Sequence, residues 1–141
     1  MNISAALLEE IVDHALSMPD VECCGLVAVT RGENGERTAT RVYRAENIHN
    51  TAMKFEIDPM QQYRITEEIE ALGWDVGAIY HSHVRSPPYP SQTDVNFARA
   101  AGDIEWIIVG LAAGSEPEVR SYLIDGASGQ IEEAPIREPG E

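Results

Sequence analysis

Two of the four histidines in this chain stand one residue apart, in a stretch that reads IYHSHVRSPPYPSQTD over residues 79–94. His81 and His83 lie near its start, three prolines interrupt it, and Asp94 ends it. Imidazole nitrogens and carboxylate oxygens bind zinc, and catalytic zinc sites use three protein ligands and leave a fourth position for water. The residue types therefore predict a metal centre of the catalytic kind.

The expected backbone brings these three side chains together. Residues 74–82 (WDVGAIYHS) are strongly apolar and predict a strand in the middle of a sheet. Residues two apart in a strand point to the same face, so His81 and His83 aim side by side at its C-terminal end, where ligands bind in sheet proteins of this kind. The proline-rich loop is stiff, and it can fold back to hold Asp94 against both imidazoles.

A metal centre of this kind needs further groups for hydrolysis. Zinc lowers the pKa of a bound water to about 7, and a base must take its proton and pass it to the leaving group. Glu22 is the best candidate base, because it opens a predicted strand that can lie beside the histidine strand. Ser91 has a hydroxyl that can donate a hydrogen bond to a developing oxyanion.

Each of these features also has an ordinary structural interpretation. Histidines two apart on a strand can be a solvent-facing pair, and Ser91 and Asp94 can be no more than helix-start residues. A glutamate that opens a strand, such as Glu22, is usually a solvated strand end. Taken together, the four spacings favour the metal centre.

The order of helix and strand signals indicates the fold that must position these residues. Ser4, Asp58 and Ser91 are predicted to cap the helices. The predicted elements are helices over 4–17, 59–72 and 92–101, strands over 22–31, 37–45, 74–82, 105–112, 118–125 and 130–136, and a short strand at the end of the irregular link 47–59. This order predicts an α/β fold with a mixed sheet flanked by helices. One domain is expected over residues 1–136, with a flexible tail over 137–141.

Charge and composition restrict the partners and the location. A formal net charge of −14 argues against nucleic acid, because phosphate is repelled. No apolar run approaches membrane-spanning length, and the acidic N-terminal stretch lacks the basic region of a signal peptide, so we expect a cytoplasmic protein with no membrane partner. The sequence leaves the oligomeric state open.

The remaining cysteines and histidines have simpler interpretations. Cys23 and Cys24 are adjacent, which predicts neither a disulfide framework nor a thiolate-rich zinc site. A cysteine nucleophile with a histidine base would leave Asp94 and Glu22 without a role, so packing in a buried strand is favoured. His14, on the first helix, is expected to be a surface or half-buried residue without metal.

The combined pattern, Glu22 followed by HSH-x7-S-x2-D over residues 81–94, resembles the JAMM signature of the MPN (JAB1/MPN/Mov34) metallopeptidase family. The segments ECCGLV and NTAMKFEIDP resemble two further segments of that family. The resemblance implies Zn²⁺ as cofactor and the following roles: His81, His83 and Asp94 as metal ligands, Glu22 as general acid and base, Ser91 as the stabiliser of the tetrahedral intermediate, and Ser82 as a support of the loop.

The same resemblance implies a fold and a reaction. The family fold is a curved mixed sheet with helices on both sides, similar to the cytidine-deaminase arrangement. Its members hydrolyse amide or isopeptide bonds after the C-terminal glycine of ubiquitin-like proteins. The chain is similar to the stand-alone prokaryotic members, and most of all to bacterial enzymes that release cysteine from a ubiquitin-like sulfur-carrier protein. The implied partner is such a carrier with a C-terminal Gly-Gly tail.

The sequence alone leaves several alternatives open. A non-catalytic module that binds ubiquitin-like tails, and a metallo-hydrolase for small peptides, are the two rival functions; a deaminase is disfavoured because its His-x-Glu and Pro-Cys-x-x-Cys motifs are absent. The leaving group can be cysteine, a lysine side chain or another amine. Three residues that flank the expected cleft are possible substrate contacts: Asn47, Phe55 and Arg85. Equally, Asn47 can be a turn residue, Phe55 a core residue and Arg85 a solvated charge. Many relatives have proline after the second histidine, and this chain has Val84.

Overall fold

Three α-helices and six β-strands form the fold of the residues that the computed structural model describes, which are 1–112 and 116–139. The helices are α1 (Ala5–Ser17), α2 (Pro59–Ala71) and α3 (Gln92–Ala101). The strands are β1 (Cys24–Arg31), β2 (Arg37–Ala45), β3 (Asp75–His83), β4 (Glu105–Gly110), β5 (Glu118–Ile124) and β6 (Ile131–Ala134). Across these ranges, no helix is long and apolar enough to cross a membrane.

The six strands form one mixed sheet in the order β2-β1-β3-β4-β5-β6. β3 pairs with β4 in parallel, and the other neighbouring strands pair antiparallel. A parallel pair needs a crossover connection, and α3 lies in the segment that joins β3 to β4. The chain that leaves the end of β3 therefore returns through a helix, which confirms the predicted mixed α/β fold.

Helices cover both faces of this sheet. On one face, Ile79 and Trp106 belong to a core cluster that includes Ile65 and Ile69 of α2 and Ala98 of α3. On the other face, side chains of β3 and β4 pack in a second cluster with α1. Because side chains alternate along a strand, the odd-numbered residues at the end of β3 face the side on which α2 and α3 lie.

The two edges of the sheet are joined near the start of the chain. Asn2 forms isolated bridges with Thr38 of β2 and with Arg137, which follows β6. Arg137 falls in the segment that the sequence assigned to a flexible tail, and it is paired in the structure. Residues 140–141 of that segment lie outside the described residues.

Several expected boundaries differ from the observed ones. The short strand predicted at the end of the link 47–59 is wrong, since only an isolated bridge joins Asn47 to Ile57. Backbone hydrogen bonds flank this bridge, and Asn47 adds side-chain bonds to the backbone beside it. Asp58 stands at the N-cap of α2 without a side-chain cap bond, so Pro59 at the first helical turn marks this start. Gly73, at φ +79, ends the segment as predicted.

Candidate metal centre

Two buried imidazoles end β3, in the middle of the sheet. His81 is 0% exposed and His83 is 5% exposed, and their Nε2 atoms lie 3.1 Å apart. β1 and β4 flank the strand on either side, with Cys24 opposite His81 in β1. The two side chains therefore lie together on the face that carries α3, as the spacing predicts.

Asp94 meets both imidazoles from the start of α3. Its Oδ1 lies 3.2 Å from Nε2 of His81, and its Oδ2 lies 3.3 Å from Nε2 of His83. The carboxylate is buried, at 2% exposure for the residue. The structure thus brings together the three side chains that the sequence selected as metal ligands.

The start of α3 fixes the Asp94 carboxylate. Ser91 is the N-cap, with its Oγ accepting a hydrogen bond from the backbone N–H of Asp94 at 3.2 Å. In return the backbone N–H of Ser91 donates to Oδ2 of Asp94 at 2.8 Å, which completes a capping box. The helix-start interpretation of these residues and the metal-centre interpretation are therefore both compatible with the geometry.

The proline loop is anchored at two consecutive carbonyls. Nδ1 of His83 donates to the Pro87 carbonyl at 2.8 Å, and the Tyr122 hydroxyl donates to the Pro88 carbonyl at 2.6 Å. Gly110 makes room for this loop, because a Cβ there would lie 2.8 Å from Pro88. A carbonyl can only accept, so Nδ1 of His83 carries a proton, and Nε2 of the same ring faces Asp94.

Glu22 reaches the same centre from the segment that leads into β1. It is 4% exposed, and ligand atoms of Glu22, His81 and His83 all lie within 4.8 Å of one another. Its Oε2 is buried and has no hydrogen-bond partner. The predicted strand start at residue 22 is wrong, since β1 begins at Cys24, but the pairing of β1 with β3 still brings Glu22 beside the histidines.

Burial and hydrogen bonding shift the pKa values of the two carboxylates, Glu22 and Asp94, in opposite directions. Burial raises the pKa of Glu22 to about 7, with the neighbouring His83 opposing the shift. Burial would also raise the pKa of Asp94, but hydrogen bonds from His81 and His83 outweigh it and hold that pKa well below its usual range. These shifts leave Asp94 ionised at neutral pH and Glu22 only partly ionised.

The pKa values of the two imidazoles also shift in opposite directions. Burial lowers the pKa of His81, more than Asp94 raises it. Burial acts in the same direction on His83, but hydrogen bonds with Asp94 and the Pro87 carbonyl raise its pKa overall. Nδ1 of His81 is buried without a hydrogen-bond partner, whereas Nδ1 of His83 has one.

The donor set fits a metal ion. Ligand atoms about 2.0–2.2 Å from a tetrahedral ion of zinc's size lie about 3.3–3.6 Å from one another. The observed separations among His81, His83 and Asp94 are 3.1–3.3 Å, close to that spacing. The group contains two imidazoles that can be neutral, one ionised carboxylate and a further buried carboxylate oxygen without a hydrogen-bond partner. A bound cation would give these buried polar atoms a partner.

The sequence predicted the surroundings of some residues near the centre and not those of others. Phe55 is 4% exposed and its ring stacks on His81, with centroids 4.3 Å apart and planes 20° from parallel, so its core interpretation holds. Asn47 is buried and bonds to the backbone of several segments, and Arg85 is exposed. Asparagine commonly forms a local turn by bonding the backbone N–H two residues further along the chain. No signal in the sequence predicts the longer-range bonds of Asn47.

Three further residues complete the surroundings. The Oγ of Ser82 accepts the backbone N–H of Cys23 at 2.9 Å, so it supports the start of β1 and not the proline loop. Both cysteines are free and buried, and burial raises their pKa, for Cys23 to about 11, which leaves no reactive thiolate. The expectation for His14 is wrong: it is 4% exposed, because its Nδ1 is 2.7 Å from the Tyr80 hydroxyl inside the core.

Comparison with known proteins agrees with this geometry. Over 99 residues, the chain is 33% identical to the desampylase of Haloferax volcanii, covering 67% of this chain and 69% of the relative. Over 135 residues, it is 30% identical to the CysO-cysteine peptidase of Mycobacterium tuberculosis, covering 95% and 88% of the two chains. A solution structure from Desulfitobacterium hafniense superposes with a TM-score of 0.81 at 27% identity, over 99% of this chain and 93% of that one.

A second solution structure, from Salinibacter ruber, has a TM-score of 0.71 at 23% identity, over 99% of this chain and 92% of that one, and supports the fold alone. Residues 4–125 match the family described as prokaryotic homologs of the JAB domain. That range contains both histidines of the metal centre, Asp94, Ser91 and Glu22. The chain therefore belongs to the prokaryotic JAB-domain family and is a hydrolase of the JAMM type, which confirms the resemblance seen in its sequence.

Proposed function

We propose that this hydrolase depends on zinc and cleaves the amide or isopeptide bond after the C-terminal glycine of a ubiquitin-like protein. One observation carries the proposal: two imidazoles and a carboxylate converge to separations of 3.1–3.3 Å, and a second carboxylate, with one buried oxygen that has no partner, lies within reach of both imidazoles. Such a set is the minimum that metal-assisted hydrolysis requires.

His81, His83 and Asp94 would hold the ion. Zinc bound by three protein ligands supplies an acidified water and polarises a carbonyl oxygen. The chain's own contribution is rigidity: the Pro87 carbonyl fixes the His83 ring and the Ser91 N–H fixes the Asp94 carboxylate. Partners of this kind around metal ligands commonly raise both affinity and activity.

Glu22 would move the proton. With a pKa of about 7, its carboxylate can accept a proton from the attacking water and its carboxylic acid can donate that proton to the leaving amine. Its buried Oε2 has no competing hydrogen bond. This assignment needs a side chain that is half protonated near neutral pH, and burial provides it.

Ser91 would donate to the developing oxyanion. Its Oγ accepts the Asp94 backbone N–H, so the hydroxyl proton is not used by the helix cap. The residue is exposed, so a substrate carbonyl can approach it. One side chain can thus serve the helix start and the reaction together.

The substrate is proposed to be a ubiquitin-like sulfur-carrier protein with a Gly-Gly tail, and the leaving group to be cysteine. Likeness to the CysO-cysteine peptidase extends over 95% of the chain and favours cysteine over the lysine amine of a protein conjugate. An extended tail ending in glycines can enter a narrow site with few side-chain requirements. We place the enzyme in the cytoplasm, where its two free cysteines suit a reducing environment.

The test is a mass measurement. The zinc-loaded protein is incubated with the host's own ubiquitin-like carrier bearing a C-terminal cysteine, and the intact mass of the carrier is followed. The proposal expects the carrier to lose one cysteine residue and to end in glycine. A carrier of unchanged mass, combined with turnover of short peptide amides, would favour a small-peptide hydrolase; binding without turnover of either would favour a non-catalytic module.

A further inference from the structure

One buried amide side chain links Glu22 to the loop that follows β2. Asn47 is 8% exposed. Its Nδ2 donates to the carbonyls of Glu22 and Lys54, each at 3.0 Å. Its Oδ1 accepts the backbone N–H groups of His49 at 3.0 Å and Glu56 at 3.1 Å. An amide side chain can make four hydrogen bonds, so this one is saturated, and all four go to backbone groups.

These bonds determine where Glu22 stands. The carbonyl of Glu22 is held by Asn47, and its N–H donates to the Thr51 carbonyl at 2.8 Å. The loop therefore holds both backbone polar groups of Glu22. Its Oε2 has no hydrogen-bond partner, so the position of the carboxylate depends on this backbone.

The same amide also sets the ring that covers His81. Lys54 and Glu56, which Asn47 holds, are the two neighbours of Phe55 along the chain. The Phe55 ring stacks on His81 at 4.3 Å. Nδ1 of His81 has no partner, so this stacking, and not a hydrogen bond at Nδ1, restrains the face of the imidazole.

We propose that Asn47 is a positioning residue for the reaction: it fixes Glu22 on one side of the metal centre and Phe55, with the His81 ring behind it, on the other. The claim rests on the proposed function, in which Glu22 moves the proton. A displacement of about 1 Å in such a group can lower the rate about 100-fold. Asn47 acts through Glu22 and Phe55 and need not touch substrate.

The chain offers a matched control for a test by substitution. Asn34, in the β1–β2 turn, also accepts a backbone N–H two residues on, from Glu36 at 3.0 Å. Serine can accept that local bond in either turn, but it is too short to reach across to the carbonyls of Glu22 and Lys54. Asn47→Ser therefore removes the links between segments and keeps the turn, and Asn34→Ser changes a turn that has no part in the metal centre.

For turnover of the carrier adduct, Asn47→Ser is expected to lower kcat at least about 30-fold and to change KM less than about 3-fold, because Glu22, which Asn47 positions, moves its proton in the transition state. Zinc content by elemental analysis should be unchanged, and Asn34→Ser should keep kcat within about two-fold. An Asn47→Ser enzyme with unchanged kcat, or with raised KM alone, would overturn the proposal.

Amide hydrogen exchange tests the placement without any substrate. In Asn47→Ser, exchange at the N–H groups of Glu22 and Glu56 should accelerate at least about 10-fold, while Ile107 and Ile108 of β4 keep their wild-type rates. Unchanged exchange at Glu22, or equal acceleration in β4, would reject Asn47 as a local support. If the wild type cleaves no carrier adduct, the proposed function fails, and this exchange experiment still decides whether Asn47 positions Glu22.

Discussion

Glu22 and Asp94 show how two carboxylates in one centre acquire different chemistry. Both are buried, but hydrogen bonds from two imidazoles and a backbone N–H keep Asp94 ionised, whereas Oε2 of Glu22 has no partner and burial raises the pKa of this residue to about 7. A fixed anion suits a metal ligand, and a carboxyl group half protonated at neutral pH suits proton transfer. The environment of each residue, more than its type, separates the two roles.

Glu22→Gln tests the proton-transfer role. Glutamine keeps the size of the side chain and cannot accept a proton, so turnover should fall about 10²–10⁴-fold, the usual contribution of general acid–base catalysis. Zinc content should be unchanged, because the three ligands are intact. Glu33→Gln, in the remote β1–β2 turn, is the control and should keep wild-type rates. Retained turnover in Glu22→Gln would reject this base.

At this scale the sequence predicted which side chains meet at the end of β3, but not the residues that support them. His81 and His83 could be paired because alternation along a strand is fixed geometry. The contacts of Asn47 and Phe55 could not, because they depend on how an irregular loop packs across β1, and no periodicity encodes that. The burial of His14 was missed for a similar reason: its partner, Tyr80, lies on a distant strand.

Among the elements, α3 begins at a residue that also holds a side chain of the candidate metal centre. Its cap, Ser91, begins the helix and holds the Asp94 carboxylate toward the end of β3. Local cap and turn signals predicted α3 within its observed bounds, Gln92–Ala101, because capping depends on neighbouring residues. The short strand expected before α2 is only an isolated bridge in the structure, and Asn47 adds side-chain bonds to the backbone beside it.

Ser91→Ala tests whether Ser91 acts in the reaction as well as in the cap of α3. Loss of the cap should lower the free energy of unfolding by about 1 kcal/mol, and loss of the hydroxyl donor should lower kcat about 10²–10³-fold. Ser4→Ala is the matched control, since Ser4 caps α1 by accepting the Leu7 N–H. It should cost similar stability, measured by urea unfolding, and leave kcat unchanged. Equal kcat in the two variants would limit Ser91 to capping.

For the whole molecule, stability depends on pH through a group remote from the metal centre. His14 joins α1 to β3 through the Tyr80 hydroxyl, and burial lowers its pKa from 6.5 to about 4. The unfolded chain therefore binds a proton that the folded chain does not bind between these two values. His14 thus contributes stability that is fully present above pH 6.5 and is lost as the pH falls toward 4.

His14→Gln removes this dependence. Between pH 7 and pH 4, the free energy of unfolding of the wild type should fall by about 2–3 kcal/mol more than that of the variant, as the pKa difference requires. Urea unfolding at several pH values measures the two slopes. Parallel curves for His14→Gln and the wild type would contradict the assignment.

The most direct test of the account is to locate zinc in the protein. A crystal structure of the zinc-loaded chain, with anomalous diffraction recorded at the zinc absorption edge, identifies the ion and its ligands. We expect one zinc ion about 2.0–2.2 Å from Nε2 of His81, Nε2 of His83 and a carboxylate oxygen of Asp94, with Glu22 nearby and not coordinating. A protein that binds no zinc at neutral pH, or that binds it through Glu22 in place of Asp94, would contradict the account.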